Sequence, residues 1–250
     1  MTQDLRAHFR LAQIPFTREI PIDKRFPHPL FEEAALALRA TVENRMSAVL
    51  IAPAGTGKTM VLRALTHGLP EARYRVHYLK LTSLSKRDLC REIAQALGAR
   101  PAGHLGALVR TVQERMIELA DQDSLRTVLI FDEAHEMRPE VLAVLRILTN
   151  FDMDSRLVLS LILSGQPPLK AVLQRDEMEA VARRVAHYAT LRLLTREEIR
   201  RYAAHRLLGA GAAGDLFDDS AHDALFEIAG GNLRATDSLA LKALQEAAAE

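Results

Sequence analysis

Ala52-Pro53-Ala54-Gly55-Thr56-Gly57-Lys58-Thr59 is the stretch on which the reading of this chain turns. It follows Val49-Leu50-Ile51, a short run apolar on both faces, as a central parallel strand requires. It precedes a segment to His67 that suits a helix. A glycine-rich turn between strand and helix lets backbone amides face phosphates while the helix presents its positive end. In that frame Lys58 would bridge the β- and γ-phosphates of ATP, and the Thr59 hydroxyl would ligate Mg²⁺. Pro53, Ala54, Gly55, Thr56, Gly57 and Met60 complete the predicted nucleotide-binding segment. Ala52 departs from the pattern, standing where the motif has its first glycine.

A second stretch points the same way. Val128-Leu129-Ile130-Phe131-Asp132-Glu133 reads as an apolar strand ending in two acids. Asp132 would hold Mg²⁺, mainly through water, and Glu133 would polarise the attacking water. Asp132-Glu133-Ala134-His135 also spells a helicase box, but the chain is too short for two helicase motor domains and lacks their other motifs. His135 is expected in a loop or cap. A further apolar run ends in Ser164-Gly165-Gln166-Pro167. Because the C-terminal strand ends of an open parallel sheet face the ligand, Gln166 first and Ser164 second are candidates to contact the γ-phosphate or the lytic water.

Around these motifs, strands expected at 47–52, 75–81, 126–131, 156–163 and 186–191 alternate with helices expected at 57–67, 85–97, 105–120, 139–149, 168–174 and 177–184. That alternation predicts an α/β fold, a parallel sheet sandwiched by helices. After Leu194 the character changes. Thr195-Arg196-Glu197-Glu198 spells a capping box, and helices expected at 197–208, 220–229 and 234–249 follow without another strand. The expected organisation is an extended, Phe- and Pro-rich segment over 1–30 packed on the core, a nucleotide-binding domain over 31–194 and a small helical lid over 195–250.

Bulk properties limit the partners. Of 250 residues, 48% are hydrophobic and 26% charged, which excludes a disordered chain. With 33 Lys and Arg against 32 Asp and Glu, the net charge of +1 gives no long-range field to hold a polyanion. The lone Cys90 cannot form an internal disulfide, which fits a reducing compartment. The N-terminus has no signal-peptide pattern and the apolar runs are too short to span a bilayer, so a soluble cytoplasmic protein without a membrane partner is expected.

These motifs resemble the AAA+ ATPases, P-loop NTPases, and within them the ExeA-type branch that includes target-selecting regulators of DNA transposases (the MuB, TnsC and TniB group). The likeness extends over nearly the whole chain. Beyond the two motifs above, it rests on Ile14-Pro15-Phe16, the run from Leu145 through Thr149-Asn150-Phe151-Asp152-Met153-Asp154, Leu163-Ser164-Gly165-Gln166-Pro167, Arg183-Arg184-Val185 and Gly230-Gly231-Asn232-Leu233-Arg234. The resemblance implies a sensor at Gln166 or Ser164, an arginine finger acting on a neighbouring subunit at Arg184, with Arg183 its competitor, and a lid arginine at Arg234 that reaches the γ-phosphate. It also implies self-assembly into a ring or helix. ExeA-type secretion ATPases carry a membrane segment and a wall-binding region that this sequence lacks, so the resemblance leans toward the transposition-associated members. Those assemble with ATP on duplex DNA and recruit a transposase. Lys80, Thr82, Ser83, Ser85, Lys86 and Arg87 are the candidate phosphate contacts to DNA. The alternative is an ExeA-like secretion or envelope-assembly ATPase acting on protein partners.

Overall fold

The computed structural model describes residues 5–80, 84–101, 103–121, 124–151 and 156–249. Five strands, β1 (Ser47–Ile51), β2 (Tyr74–Lys80), β3 (Arg126–Asp132), β4 (Leu159–Gly165) and β5 (Val185–Thr190), form one sheet in the order β2-β3-β4-β1-β5. Every pairing is parallel. The helices are α1 (Leu5–Phe9), α2 (Pro29–Glu43), α3 (Lys58–Gly68), α4 (Lys86–Ala96), α5 (Leu105–Asp121), α6 (Pro139–Leu142), α7 (Val144–Leu148), α8 (Pro168–Leu173), α9 (Glu179–Ala182), α10 (Arg196–Gly209), α11 (Asp219–Ala229) and α12 (Leu233–Ala247).

The contacts divide the chain into two compact units, one of residues 32–52 and 61–191, the other of residues 1–31, 53–60 and 192–250. The first holds the sheet. β1 and β4 are buried along their whole length, which explains why they read as continuous apolar runs. Side chains alternate across the pleat: Val49, Ile51, Leu129, Phe131, Leu161 and Leu163 join one core with Leu89, Ile93, Val112, Met116, Leu142 and Leu145 of α4 to α7. Burying each such Leu or Ile contributes about 1.5–3 kcal/mol. Cys90 lies in this core with no exposed surface, and burial pushes its thiol up to about 11, so it is a packing residue rather than a nucleophile.

Most boundaries shift by one or two residues from the sequence expectation, and two elements differ by more. The helix expected over 139–149 is divided at Ala143, where the Arg146 N–H bonds the carbonyl three residues back and tightens the turn. The strand expected from Arg156 begins at Leu159, because that residue pairs with Thr127 near the start of β3, and earlier residues have no ladder partner on it.

In the second unit, Leu5, Leu11 and Phe16 pack with Ala203, Leu207, Phe217, Leu225, Ala240 and Leu244, so the N-terminal segment shares its core with α10 to α12. Charge reinforces this packing. Arg206 donates to the Thr17 carbonyl at 2.6 Å and to the Tyr202 hydroxyl at 2.9 Å. Glu198 closes the capping box with Thr195 and also takes both guanidinium nitrogens of Arg192, at 2.7 and 2.8 Å. His28 stands 3.0 Å from the same carboxylate, tying the N-terminal segment to the start of α10.

The Arg192 guanidinium, aided by Thr195 and His28 and opposed by burial, holds the Glu198 carboxyl well below its ordinary value of 4.5. A depressed carboxyl stabilises the fold fully above the unfolded value and loses that contribution as pH falls toward the folded one. Glu198→Ala should therefore cost about 2–3 kcal/mol at neutral pH. In denaturant titrations the gap between variant and parent should close progressively below about pH 4.5; a gap independent of pH would contradict the assignment.

Candidate functional site

The sheet delivers polar groups to one edge. β1 and β4 run in register to Ile51 and Gly165, and β3 pairs with β4 as far as Phe131 and Leu163, so Asp132 and Ser164 emerge side by side at the strand ends. Asp132 is 4% exposed yet fully engaged. Ser164 Oγ donates to Oδ1 at 2.9 Å, the Glu133 N–H donates to the same oxygen at 3.0 Å, and Tyr78 Oη donates to Oδ2 at 2.6 Å. Tyr78 reaches it because it shares a face of the sheet with Asp132, two residues before the Lys80–Asp132 pair. Burial, followed by the bond to Asp132, raises the Tyr78 phenol far above its usual value, which keeps it a proton donor.

Glu133 turns out of the strand at φ 56°, ψ 33°, a left-handed conformation unusual for a residue with a side chain. Its Oε2 is buried without a hydrogen bond and lies 3.4 Å from Nδ1 of His135, which also lacks one. The two atoms face each other within ion-pair range but without hydrogen-bonding geometry. Strain together with an unsatisfied buried carboxylate oxygen marks a group held for something other than stability. Gln166 sits half-buried just past β4, its carbonyl accepting the Leu169 N–H.

In the second unit, the loop before α3 has Gly55 at φ +75° and Gly57 at φ +99°, both in the region only glycine enters freely. Thr56 Oγ1 and Lys58 Nζ both donate to the Pro53 carbonyl, at 2.7 and 3.2 Å, so the lysine lies folded over its own loop and is 6% exposed. Thr59 is exposed at the second position of α3, with Met60 half-buried beside it. Arg234, in the first turn of α12, is exposed, and its side chain has no ion pair among the described residues. These groups fit a triphosphate and its cation: a loop turned by two positive-φ glycines, a lysine, and a hydroxyl at the helix start.

The two candidate arginines separate. Arg183 is exposed and paired with Glu179 at 2.6 Å. Arg184 donates to the Ala180 carbonyl at 2.9 Å and lines an open cavity of about 470 Å³ with Gln113, Arg146, Ile147, Asn150 and Ala180. Sequence reasoning gave no role to Arg146, Tyr78 or Asn232, although Asn232 stands within the quoted Gly230-to-Arg234 run; their contacts are placed only by the tertiary fold.

Two of the candidate DNA contacts have other engagements. Ser85 caps α4 by accepting the Asp88 N–H, and Arg87 donates to the Gly103 carbonyl at 3.1 Å. Lys86 is exposed, and Thr82 and Ser83 lie outside the described residues. So do Asp152, Met153 and Asp154 of the run beginning at Leu145.

A five-stranded parallel sheet with helices between its strands, and a glycine-turn loop between β1 and α3, define an α/β P-loop nucleotide-binding fold. A family profile described as "AAA domain" matches residues 40–173, more than half of the chain, and the chain belongs to that family. It is 30% identical over 199 residues to General secretion pathway protein A of Aeromonas hydrophila, a match covering 78% of this chain and 36% of that protein. This chain thus spans about a third of its relative's length. Among solved structures it resembles Cdc6p from Pyrobaculum aerophilum, with a TM-score of 0.68 at 20% identity over 93% of this chain and 65% of that one. It also resembles the Aeropyrum pernix ORC1 protein in complex with DNA, with a TM-score of 0.66 at 16% identity over 90% and 62%. These two likenesses are of fold. Among the described residues no helix is long and apolar enough to cross a membrane.

Ser164→Ala should cost about 1–3 kcal/mol by leaving a buried carboxylate short of a donor, whereas Tyr78→Phe should cost less because Tyr78 is 48% exposed. Urea midpoints at unchanged m-value would measure both.

Proposed function

We propose that this chain is a Mg²⁺-dependent ATPase that assembles with copies of itself and drives protein partners in a secretion or envelope-assembly process. The observation that carries the hydrolytic reading is Glu133, turned out of β3 beside a fully bonded Asp132 with one carboxylate oxygen left unsatisfied. Such an oxygen can accept a proton from a water attacking the γ-phosphate. Amides of Pro53 to Thr59 would cradle the phosphates, except at Pro53, which has no N–H, and Lys58 would neutralise charge on the β- and γ-groups. Thr59 and Asp132 would hold Mg²⁺, which when bound offsets charge on the phosphate oxygens. Ser164 keeps Asp132 oriented, Gln166 would contact the γ-phosphate or the water, and Arg234 would reach the nucleotide from α12.

Arg184 is the better candidate for a trans-acting arginine. It lines a cavity with Arg146, and Arg183 is not among the described residues lining that cavity. A planar guanidinium stabilises charge spreading over a transferring phosphoryl group, so a neighbouring copy's triphosphate would enter this cavity.

The protein-partner reading is supported by the 30% identity to a general secretion pathway protein over 78% of the chain. Assembly on duplex DNA with recruitment of a transposase is the second reading. It rests on the sequence resemblance alone, and the engagement of Ser85 and Arg87 within the protein weakens it.

The purified chain should hydrolyse ATP with Mg²⁺. Lys58→Ala should abolish nucleotide binding, and Glu133→Gln should keep binding while turnover falls about 100-fold or more. Arg184→Ala should lower turnover only under conditions where copies assemble, and Arg183→Ala should leave it unchanged. Unaltered turnover in Glu133→Gln would refute the catalytic assignment. Co-sedimentation with duplex DNA in ATP, abolished by Lys86→Glu, would favour the transposition reading over the secretion one.

A further inference from the structure

The segment Gly230-Gly231-Asn232-Leu233-Arg234 does more than start a helix. Asn232 is the N-cap of α12, its Oδ1 accepting the Ala235 N–H at 3.1 Å. Its other side-chain atom is also committed, for Nδ2 donates to the Ala54 carbonyl at 2.7 Å. Two residues on, the Arg234 N–H donates to the next carbonyl of the same loop, that of Gly55, at 3.2 Å. The start of α12 therefore binds two successive carbonyls of the glycine-rich loop.

This close approach is built in. A Cβ at Gly55 would lie 2.3 Å from Asn232 Oδ1, and one at Gly231 would lie 2.1 Å from the Leu194 carbonyl oxygen. Gly231 is itself fixed by accepting the Leu194 N–H at 3.0 Å. Both glycines have positive φ, so neither position favours a side chain on backbone grounds either.

The consequence follows from peptide geometry. No peptide bond among the described residues is cis, and in a trans peptide the C=O and N–H of one unit point in opposite directions. With the Ala54 and Gly55 carbonyls bonded to the start of α12, the N–H groups of Gly55 and Thr56 are turned away from it. These are amides that the nucleotide reading assigns to the phosphates. The choice of residue fits the task. Ser and Asp cap a helix about as well as Asn does, but of these residues only Asn presents an acceptor and a nitrogen donor on one short planar group.

We propose that Asn232 is a positioning residue for nucleotide binding: together with the Arg234 N–H it clamps the loop carbonyls and presets the loop amides toward the phosphates. The proposal rests on the nucleotide reading above. It makes the start of α12 and the phosphate loop a single hydrogen-bonded device, in which Asn232 acts through the loop backbone and does not touch the substrate.

Asn232→Ser separates the clamp from the cap, since the shorter hydroxyl still accepts the helix N–H but does not span to Ala54. Fluorescent-ADP titration should find its affinity reduced about 10-fold, with inorganic pyrophosphate weakened as a competitor to the same degree, while the melting temperature without nucleotide stays at the parent value. Parent-like affinity in Asn232→Ser overturns the clamp. A lowered melting point would be resolved by the cycle of Gly55→Ala, Asn232→Ala and the double variant: the clamp requires non-additive losses of ADP affinity, and additive losses overturn it. Lys58→Ala is the control. If it and the parent bind ADP alike, the nucleotide reading itself has failed; if only the parent binds and Asn232→Ser matches it, the clamp alone has failed.

Discussion

Strands β1 and β4 are enclosed on both faces, and that enclosure leaves polar chemistry a place only at their ends. Every side chain along β4, and all but the first residue of β3, is buried, so a carboxylate within either strand would need partners the core does not offer. Asp132 is tolerated because it is the last residue of β3 and because Ser164, Tyr78 and a backbone N–H converge on it. The parallel register makes that convergence unavoidable: strands paired without a slip end together, and their terminal residues become neighbours.

Glu133 stands one residue beyond this arrangement and differs from it in kind. Asp132 has both oxygens satisfied, whereas Glu133 occupies a left-handed backbone conformation with a buried oxygen that faces His135 without bonding it. The two adjacent acids thus have very different surroundings, one with both oxygens held and the other with acceptor capacity left unused. The second unit follows a comparable economy. Glu198 serves at once as helix cap, as partner to Arg192 and as anchor for His28, and Asn232 joins a helix start to the phosphate loop.

Family membership and biological task separate here. The AAA domain match and the α/β sheet fix the class, and the fold likeness to Cdc6p and ORC1 adds architecture without adding a task. The sequence motifs resemble the ExeA-type branch as a whole, and the relative found by identity is a secretion protein about three times as long as the matched region. Net charge of +1 and the internal engagement of Ser85 and Arg87 give the DNA reading little electrostatic ground.

The sequence by itself determined the sheet, its parallel sense and the phosphate loop, because these follow from local pattern: apolar runs of strand length, glycines where φ must be positive, and acids closing a buried strand. It also marked the capping box at Thr195, a four-residue motif whose bonds form within one turn. It did not reveal Tyr78 on Asp132, Asn232 on Ala54, or Arg146 beside Arg184, and it extended the strand before Leu159 too far toward Arg156. Each of those depends on register or on contacts between residues distant in the chain. Hydrogen bonds spanning 54 and 178 positions leave no periodic trace in a sequence, and only the folded backbone brings such groups together.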